Sequence, residues 1–378
     1  MNSLAQILWR KKELISLLFV WLLIQSYLLI TNGIKLDGEG SRFINEANNL
    51  ISHGHLSATS YFMYFTEIFL IYLKLKTGFG YELIIFFQLL LNFFALFFLY
   101  TFLVKYYLSE SLAAICCLLL IICYPYQIYN SFLYTESIFF SLSAIFSCFF
   151  LSISRFNVKN IFTCSLLLVL LCITRPTGIF FAGATVIYLF FILSSQISLL
   201  KRVLLFCSLS AVVLFLLNII MGSGGSIDII LPFKDERIIC DVPTLPYDTN
   251  LKTSSNGNTL YGLFYYIVHN FNQFSRLALL KSKAFFGLTR PFYSNGHNVF
   301  MITYFYPLYL LILLAIGRFK TATPVSFIYF ISLTIIIWIS VIFSCDEWHN
   351  RFFLPLTPFL LIPSLYLFTK KVLPNKSI

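Results

Sequence analysis

Charged side chains are scarce in this chain. Asp, Glu, Lys and Arg make up 11% of its 378 residues, against about 25% in an ordinary soluble domain. Hydrophobic residues reach 59% and aromatic residues 19%, which is more apolar surface than one soluble core can bury. Several apolar stretches can cross about 30 Å of hydrocarbon, which takes about 20 helical residues. The scarcity of charge therefore excludes a soluble globular class and predicts a multi-pass integral membrane protein.

Metal-binding and processing motifs are also missing. No CxxC pair and no Cys/His spacing typical of a metal site occurs, so we predict no metal ligands; a divalent metal ion is an open alternative that no motif supports. Seven of the nine cysteines lie in or beside apolar runs and behave as small hydrophobic residues. Cys240 and Cys345 fall in polar loops, where we expect two unpaired thiols rather than a disulfide. No small-residue cleavage site follows the first apolar run, which predicts a retained first span.

The apolar runs predict an all-α polytopic bundle of about ten transmembrane helices, forming a single membrane domain over residues 1–378. The predicted spans are 14–31, 82–104, 111–128, 132–153, 160–174, 177–194, 203–221, 300–317, 324–343 and 352–368. Only Arg175-Pro176 separates the fifth span from the sixth. These two therefore form either a tight helical hairpin or one longer span that breaks at Pro176.

The distribution of basic residues favours the hairpin, because basic residues concentrate in the cytoplasmic loops of membrane proteins. With ten spans and a cytoplasmic N-terminus, the cytoplasmic segments hold 13 of the 26 basic residues but only two of the 15 acids. Joining spans five and six would move Lys201, Arg202, Arg318 and Lys320 outward and abolish this asymmetry. We therefore predict that both termini are cytoplasmic. The outer loops carry no N-x-Ser/Thr sequon, which favours a bacterial inner membrane.

Two extracytoplasmic segments are long, residues 32–81 and 222–299. The first contains an amphipathic helix pattern over Ser41–Ile51 and an apolar stretch over Tyr61–Leu75 that is too short to span. Both are predicted to be helices at the membrane interface. The second half of the other segment, Tyr261–Leu288, is also predicted to be helical and amphipathic.

The densest polar cluster follows the first span, where Asp37 and Glu39 flank a single glycine. A glycine-rich turn exposes both carboxylates, and the low dielectric of the membrane boundary raises their basicity. The pattern therefore fits a catalytic base or a pair of metal ligands. Acids and glycines are also common in solvated loops, and the local sequence alone favours that simpler explanation.

Three further outer turns each place a charged residue at a helix end: Glu136 opens span four, Arg175 precedes span six and Arg351 begins the last span. Each has a simple structural explanation, because an acid satisfies the dipole at a helix N-terminus and an arginine can grip lipid headgroups. Taken together with Asp37 and Glu39, they predict one outward-facing polar site, with acids for a hydroxyl and arginines for a lipid phosphate.

Four short motifs along the chain resemble those of the GT-C membrane glycosyltransferases. The similarity is to the bacterial family 39 and RgtA/B/C/D-like proteins, which are related to protein mannosyltransferases and the lipid A aminoarabinose transferase. The acidic motif leads into an Ala-x-x-Leu-x-x-x-Gly stretch over 47–54, and a proline at 125 precedes Glu136. A Thr-Arg-Pro-x-Gly turn covers 174–178, and an Arg-Phe-x-x-Pro-x-x-Pro motif covers 351–358.

This resemblance implies a GT-C-like bundle that transfers a sugar from a polyprenyl-phosphate donor on the extracytoplasmic face, with inversion at the anomeric carbon. It implies that Asp37 deprotonates the acceptor hydroxyl, with Glu39 as the second candidate. The implied partners are the lipid-linked sugar, a glycan, lipid or protein acceptor, and membrane lipids, but no nucleic acid and no certain cofactor. The residues implied to bind the donor phosphate are Arg175, Arg351, Lys281 and Lys283, and those implied to support the site are Glu136, His53 and His349.

The main alternative is a transporter or flippase of a lipid-linked sugar. Such a protein needs polar or ionisable residues along a path through the membrane. The predicted spans are nearly free of charge, with Gln88, Asn92 and Asn218 as the clearest polar interruptions. This pattern disfavours ion-coupled transport and leaves a flippase as the alternative.

Overall fold

The computed structural model describes residues 2–194, 231–240, 251–254, 259–315 and 324–372, together with positions 198, 200, 201, 203, 204, 208 and 242. Across these residues the chain is all-helical, with no strand, as predicted. The helices of ten or more residues are α1 (Asn2–Asn32), α2 (Glu39–His53), α3 (Phe65–Thr77), α4 (Tyr81–Tyr106), α5 (Glu110–Ile122), α6 (Thr135–Leu151), α7 (Val158–Thr174), α8 (Gly178–Ser194), α9 (Leu260–His269), α10 (Phe271–Gly287), α11 (Asn295–Ala315), α12 (Phe327–Phe343) and α13 (Thr357–Val372).

Four stretches of the described chain are long and apolar enough to cross a membrane: Lys12–Asn32, Tyr81–Tyr106, Asn295–Leu314 and Trp348–Phe368. A fifth span is formed if the bent pair Glu110–Ile122 and Tyr124–Ser131 is counted as one. Helices α6, α7, α8 and α12 are apolar but shorter. The chain is therefore a helical membrane protein. The span predicted at 203–221 lies outside the described residues except for positions 203, 204 and 208.

The helix in the span predicted at 111–128 is broken, because α5 ends at Ile122 and the chain bends by 69° before the next helical stretch. Pro125 follows two residues after the break and lacks the N–H that a continuing helix would use. A broken helix in an apolar environment needs other partners for its freed backbone groups. Here Gln127 supplies one, since its side-chain amide donates to the Leu120 carbonyl at 3.0 Å.

A network of buried amides surrounds this break. Gln25 of α1 donates to the Gln127 side chain at 2.9 Å, and Asn130 donates to the same oxygen at 2.8 Å. The Ser137 hydroxyl donates to Asn130 at 2.6 Å. Buried polar groups are tolerable only when they are hydrogen-bonded. The network therefore joins α1, the break and the start of α6 in one fixed arrangement.

The described residues cluster into two compact units. The first unit contains residues 1–182, 304–330 and 354–378. Its central helix is α6, whose side chains are nearly all buried and which packs against α4 and α7. Around it α1 packs on α5, and α2 packs on α3. A polar residue at the start of α6 is consequently held inside the unit.

The helices predicted in the first outer loop are present. The amphipathic pattern at 41–51 corresponds to α2, and the apolar stretch at 61–75 corresponds to a 3₁₀ turn, Thr59–Tyr64, followed by α3. Phe43, Ala47, Ile68 and Ile71 form the buried cluster that joins the two helices. The segment predicted at 261–288 is also helical but is divided at Asn270 into α9 and α10.

The second unit contains residues 183–303 and 331–353, and within it α9 and α10 pack around Phe233. A disulfide joins Cys240 to Cys345, so the prediction of two unpaired thiols is wrong. The reason is a parallel bridge between Ile239 and Asp346, which brings the two cysteine Cα atoms to 5.3 Å. That separation lies within the normal range for a disulfide. Sequence spacing alone gives no sign of this pairing.

Candidate functional site

The loop after α1 is fixed to the chain that leads into α6. The Lys35 amide donates to the Ser131 carbonyl at 3.0 Å, and the Leu133 amide donates back to Lys35 at 2.9 Å. The Tyr134 hydroxyl then donates to the Asp37 carbonyl at 3.0 Å. These bonds hold residues 35–40, which we name the acid turn, in a set position within the first unit.

Gly38 makes the acid turn possible for two reasons. Its φ of 64° lies in the left-handed region, which side chains other than glycine rarely adopt. A Cβ atom at this position would also collide with the Tyr134 hydroxyl. Glycine between the two acids is therefore required by the close approach of Tyr134, and α2 begins at the next residue, Glu39.

The two predicted catalytic acids differ in exposure. The Asp37 side chain is 75% exposed, with the Lys35 amine 4.0 Å from its carboxylate. Glu39 lies in the first turn of α2 and is half-buried. A base that takes a proton from a bound hydroxyl must be reachable by that hydroxyl. Asp37 meets this requirement directly.

Glu136 and Arg175 form a buried ion pair. Glu136 lies in the first turn of α6 and is fully buried, and Arg175 caps the C-terminus of α7 and is 5% exposed. The neighbouring Thr174 hydroxyl donates to Thr66 of α3 at 2.9 Å. The structure thus brings together two residues that the sequence places in separate turns, and the carboxylate compensates the arginine within the first unit.

Glu67 of α3 is a buried acid within the apolar stretch over Tyr61–Leu75. It is fully buried, and the Gln88 amide contacts its two oxygens at 3.4 and 3.5 Å. None of the described basic groups forms an ion pair with it. Burial raises the pKa of this carboxyl to about 8; the Gln88 hydrogen bond lowers it and the charge of Glu136 raises it. Glu67 is therefore mostly protonated at pH 7.

Arg290 and Asp346 form a second buried ion pair, in the second unit, with both side chains 1% exposed. Arg290 also donates to the Ala284 carbonyl at 2.7 Å. Burial raises the pKa of Asp346 to about 6, although the Arg290 charge lowers it. The sequence gives no sign of this pair, because Arg290 and Asp346 are separated by 56 positions along the chain.

The predicted phosphate-binding residues of the second unit have different environments. The buried Lys281 amine donates to the carbonyls of Ile342 and Ser344 at 3.1 and 2.5 Å and lies over the Phe233 ring. Burial lowers the pKa of this amine to about 7. Lys283 is exposed, and Arg351 is 8% exposed. Lys281 thus satisfies the carbonyls at the C-terminal end of α12, as cations near helix C-termini commonly do.

The two predicted supporting histidines are both exposed. His53 ends α2 in the first unit, 3.0 Å from the Ser52 hydroxyl. His349 belongs to the second unit, where its ring stacks on Tyr293. Among the described residues no group of three or more His, Cys, Asp or Glu side chains could hold a metal ion.

No protein-family model, no curated protein and no solved structure matches this chain.

Proposed function

We propose that this chain is a membrane glycosyltransferase that moves a sugar from a polyprenyl-phosphate donor to an acceptor hydroxyl. The observation that carries the proposal is Asp37: an exposed carboxylate on a turn fixed by Tyr134, at the end of an apolar helix long enough to span. A membrane enzyme that uses a lipid-linked substrate needs such a base at the membrane boundary, within reach of a water-soluble hydroxyl.

In the proposed reaction the Asp37 carboxylate takes the proton of the acceptor hydroxyl. The acceptor oxygen forms a bond to the anomeric carbon while the bond from that carbon to the phosphate oxygen breaks. The bonding electrons leave with the lipid phosphate, so the configuration inverts. A cationic side chain stabilises the charge that develops on the leaving phosphate. Arg175, Arg351, Lys281 and Lys283 are the alternatives for this cation. Arg175 would first have to release Glu136, and Lys281 would have to release its two carbonyls.

The reaction takes place on the extracytoplasmic face in this proposal, with ten spans, both termini cytoplasmic and a bacterial inner membrane as the location. The disulfide supports an extracytoplasmic location for Cys240 and Cys345, because disulfides persist in oxidising compartments such as the periplasm. Cysteines introduced at Leu200 and Lys252 should react with a membrane-impermeant reagent from opposite sides. Labelling of both from the same side would contradict the ten-span arrangement.

The test of the activity uses the purified chain in lipid nanodiscs with a panel of polyprenyl-phosphate sugars, and measures release of the lipid phosphate. We expect Asp37→Asn to reduce turnover by about 10² to 10⁴-fold, because the base is lost while the volume is kept. Glu82→Gln is the matched control, since Glu82 is an exposed acid in the first turn of another helix of the same unit.

Each other result has a defined meaning. Full activity of Asp37→Asn with loss in Glu39→Gln would move the base to Glu39. If no donor supports turnover, but a lipid-linked sugar crosses the membrane of vesicles that contain the protein, the flippase hypothesis is favoured over the enzyme hypothesis. Thermal stability of each variant is measured alongside, so that misfolding is separated from loss of chemistry.

A further inference from the structure

Residues 345–351, which we name the aromatic turn, are held from several directions within the second unit. Cys345 is joined to Cys240 by the disulfide. The Asp346 amide donates to the Ile238 carbonyl, and the Cys240 amide donates to the Asp346 carbonyl, both at 2.8 Å. The Asp346 side chain pairs with Arg290. A turn of seven residues with this many restraints is preorganised to present particular side chains.

The backbone of the aromatic turn is strained as well. His349 and Asn350 both adopt the left-handed conformation, with φ of 60° and 57°. Residues other than glycine rarely adopt it, and two in succession are rarer still. Such strain persists only where the surrounding structure imposes it, and it concentrates at binding and catalytic sites. The Asn350 side-chain amide helps to impose this conformation by donating to the Leu288 carbonyl at 2.8 Å.

Two rings of the aromatic turn pack against a second pair of rings that lies outside the turn. Trp348 stacks on Phe292 with ring centroids 4.3 Å apart, and His349 lies parallel to Tyr293 at 5.7 Å. His297 contacts Tyr293 at 4.3 Å. We name these five residues the aromatic platform. His349 and Phe292 are exposed, and the other three are partly exposed. The platform is therefore a continuous ring surface that solvent reaches.

Two histidines give the aromatic platform a polar edge. The imidazoles of His297 and His349 carry nitrogen atoms that donate or accept hydrogen bonds. A surface that combines aromatic faces with such groups at its edge is typical of a site for a ligand that has both an apolar face and hydroxyls.

We propose that the aromatic platform binds a saccharide ring. A pyranose has one face of C–H groups, which packs against aromatic rings, and a rim of hydroxyls, which bond to imidazole nitrogens. This saccharide site goes beyond the proposed function, since it belongs to the second unit and is argued without Asp37. The alternative explanation is an ordinary belt of aromatic residues at the membrane surface. Such a belt requires neither a strained backbone nor a disulfide-linked turn.

The binding test uses the full chain in nanodiscs, a set of methyl hexosides as probes, and saturation-transfer NMR without any donor. We expect transfer to at least one hexoside in the wild-type protein and its loss in Phe292→Ala and Trp348→Ala. Phe264→Ala is the matched control, because Phe264 is an exposed aromatic residue of α9 outside the platform. The absence of transfer to every hexoside, or equal transfer in all variants, would overturn the proposal.

A second variant separates a ligand role from a structural one. Glycine adopts the left-handed conformation without strain, so His349→Gly removes the ring while keeping the backbone of the aromatic turn. We expect equal or higher thermal stability together with loss of hexoside binding. Retained hexoside binding in this variant, with stability unchanged, would contradict a role of the imidazole in the site.

Turnover, measured beside hexoside binding, distinguishes failure of this proposal from failure of the transferase. Hexoside binding without any turnover would keep the saccharide site and reject the transferase. Turnover with an acceptor that contains no saccharide, and no hexoside binding, would keep the transferase and reject the saccharide site.

Discussion

The acid turn and the aromatic turn are both short loops next to apolar helices, but they are held by different means. Backbone hydrogen bonds and the Tyr134 hydroxyl fix the acid turn, whereas a disulfide and the Arg290–Asp346 ion pair fix the aromatic turn. The first exposes a carboxylate and the second exposes rings. The comparison indicates that a fixed position is important for both turns, whereas an exposed charge is important for the acid turn.

Each unit also contains one buried pair of arginine and carboxylate, in a different setting. Glu136–Arg175 joins the start of α6 to the end of α7 and has a further buried acid, Glu67, close enough for the charge of Glu136 to raise its pKa. Arg290–Asp346 ties a loop segment to the aromatic turn. Burying an ion pair gains little net stability, but breaking one is costly. The contribution of each ion pair to stability is therefore best measured by removing one of its two partners.

The largest effect on stability is expected when the pair of the first unit is broken. Glu136→Ala leaves the Arg175 charge buried without its carboxylate, which should destabilise the protein by about 3–5 kcal/mol. Thermal unfolding followed with a cysteine-reactive dye measures this, because Cys116, Cys117 and Cys148 are buried free thiols of the same unit.

The matched control for that experiment is the double variant Glu136→Leu with Arg175→Met. It removes both charges and fills the space with apolar atoms, so it should recover most of the lost stability. Equal melting temperatures for Glu136→Ala and the wild-type protein would show that the pair is not structural.

A somewhat smaller effect is expected from the covalent restraint of the aromatic turn. Replacing Cys240 and Cys345 by serine opens a loop of 105 residues and should cost about 2–4 kcal/mol, measured as a lower melting temperature. Cys164→Ser is the control, since Cys164 is a half-buried free thiol. Alkylation of the denatured, non-reduced protein should label two fewer thiols than the nine cysteines present. Labelling of all nine would contradict the disulfide.

The effect expected at Glu67 depends on pH. The pKa of this carboxyl is about 8 in the folded protein, against a reference value of 4.5. Between these values the folded state keeps a proton that the unfolded state releases. The contribution of Glu67 is thus fully present below about pH 4.5 and is lost as pH rises to about 8.

Glu67→Gln removes this titration, so its melting temperature should depend less on pH and exceed that of the wild-type protein most clearly at pH 8. Glu82→Gln serves as the control, because Glu82 is exposed on α4. If the melting temperatures of wild type and Glu67→Gln change with pH in the same way between about pH 4.5 and 8, Glu67 does not take up a proton on folding.

The helices are largely predictable from apolar runs, since length and hydropathy determine them locally. Pro125 indicates a break near Cys123, but the 69° bend also depends on how Gln25 of α1 meets Gln127, which the sequence does not show. Glu136 and Arg175 are each visible as charges at helix ends, but their pairing depends on the packing of α6 against α7. The pairing of Cys240 with Cys345 and that of Arg290 with Asp346 depend on contacts between distant segments, which sequence spacing does not encode.

The disulfide also has a consequence for the order in which the protein matures. Cys345 is synthesised 105 residues after Cys240, which takes about 5–20 s at ordinary rates of elongation. During that interval Cys240 has no native partner, and helices α9 to α12 are made before Cys345 follows. The bond therefore forms only after helices α9 to α12 have been made, and the oxidant that makes it acts on a chain that already contains them.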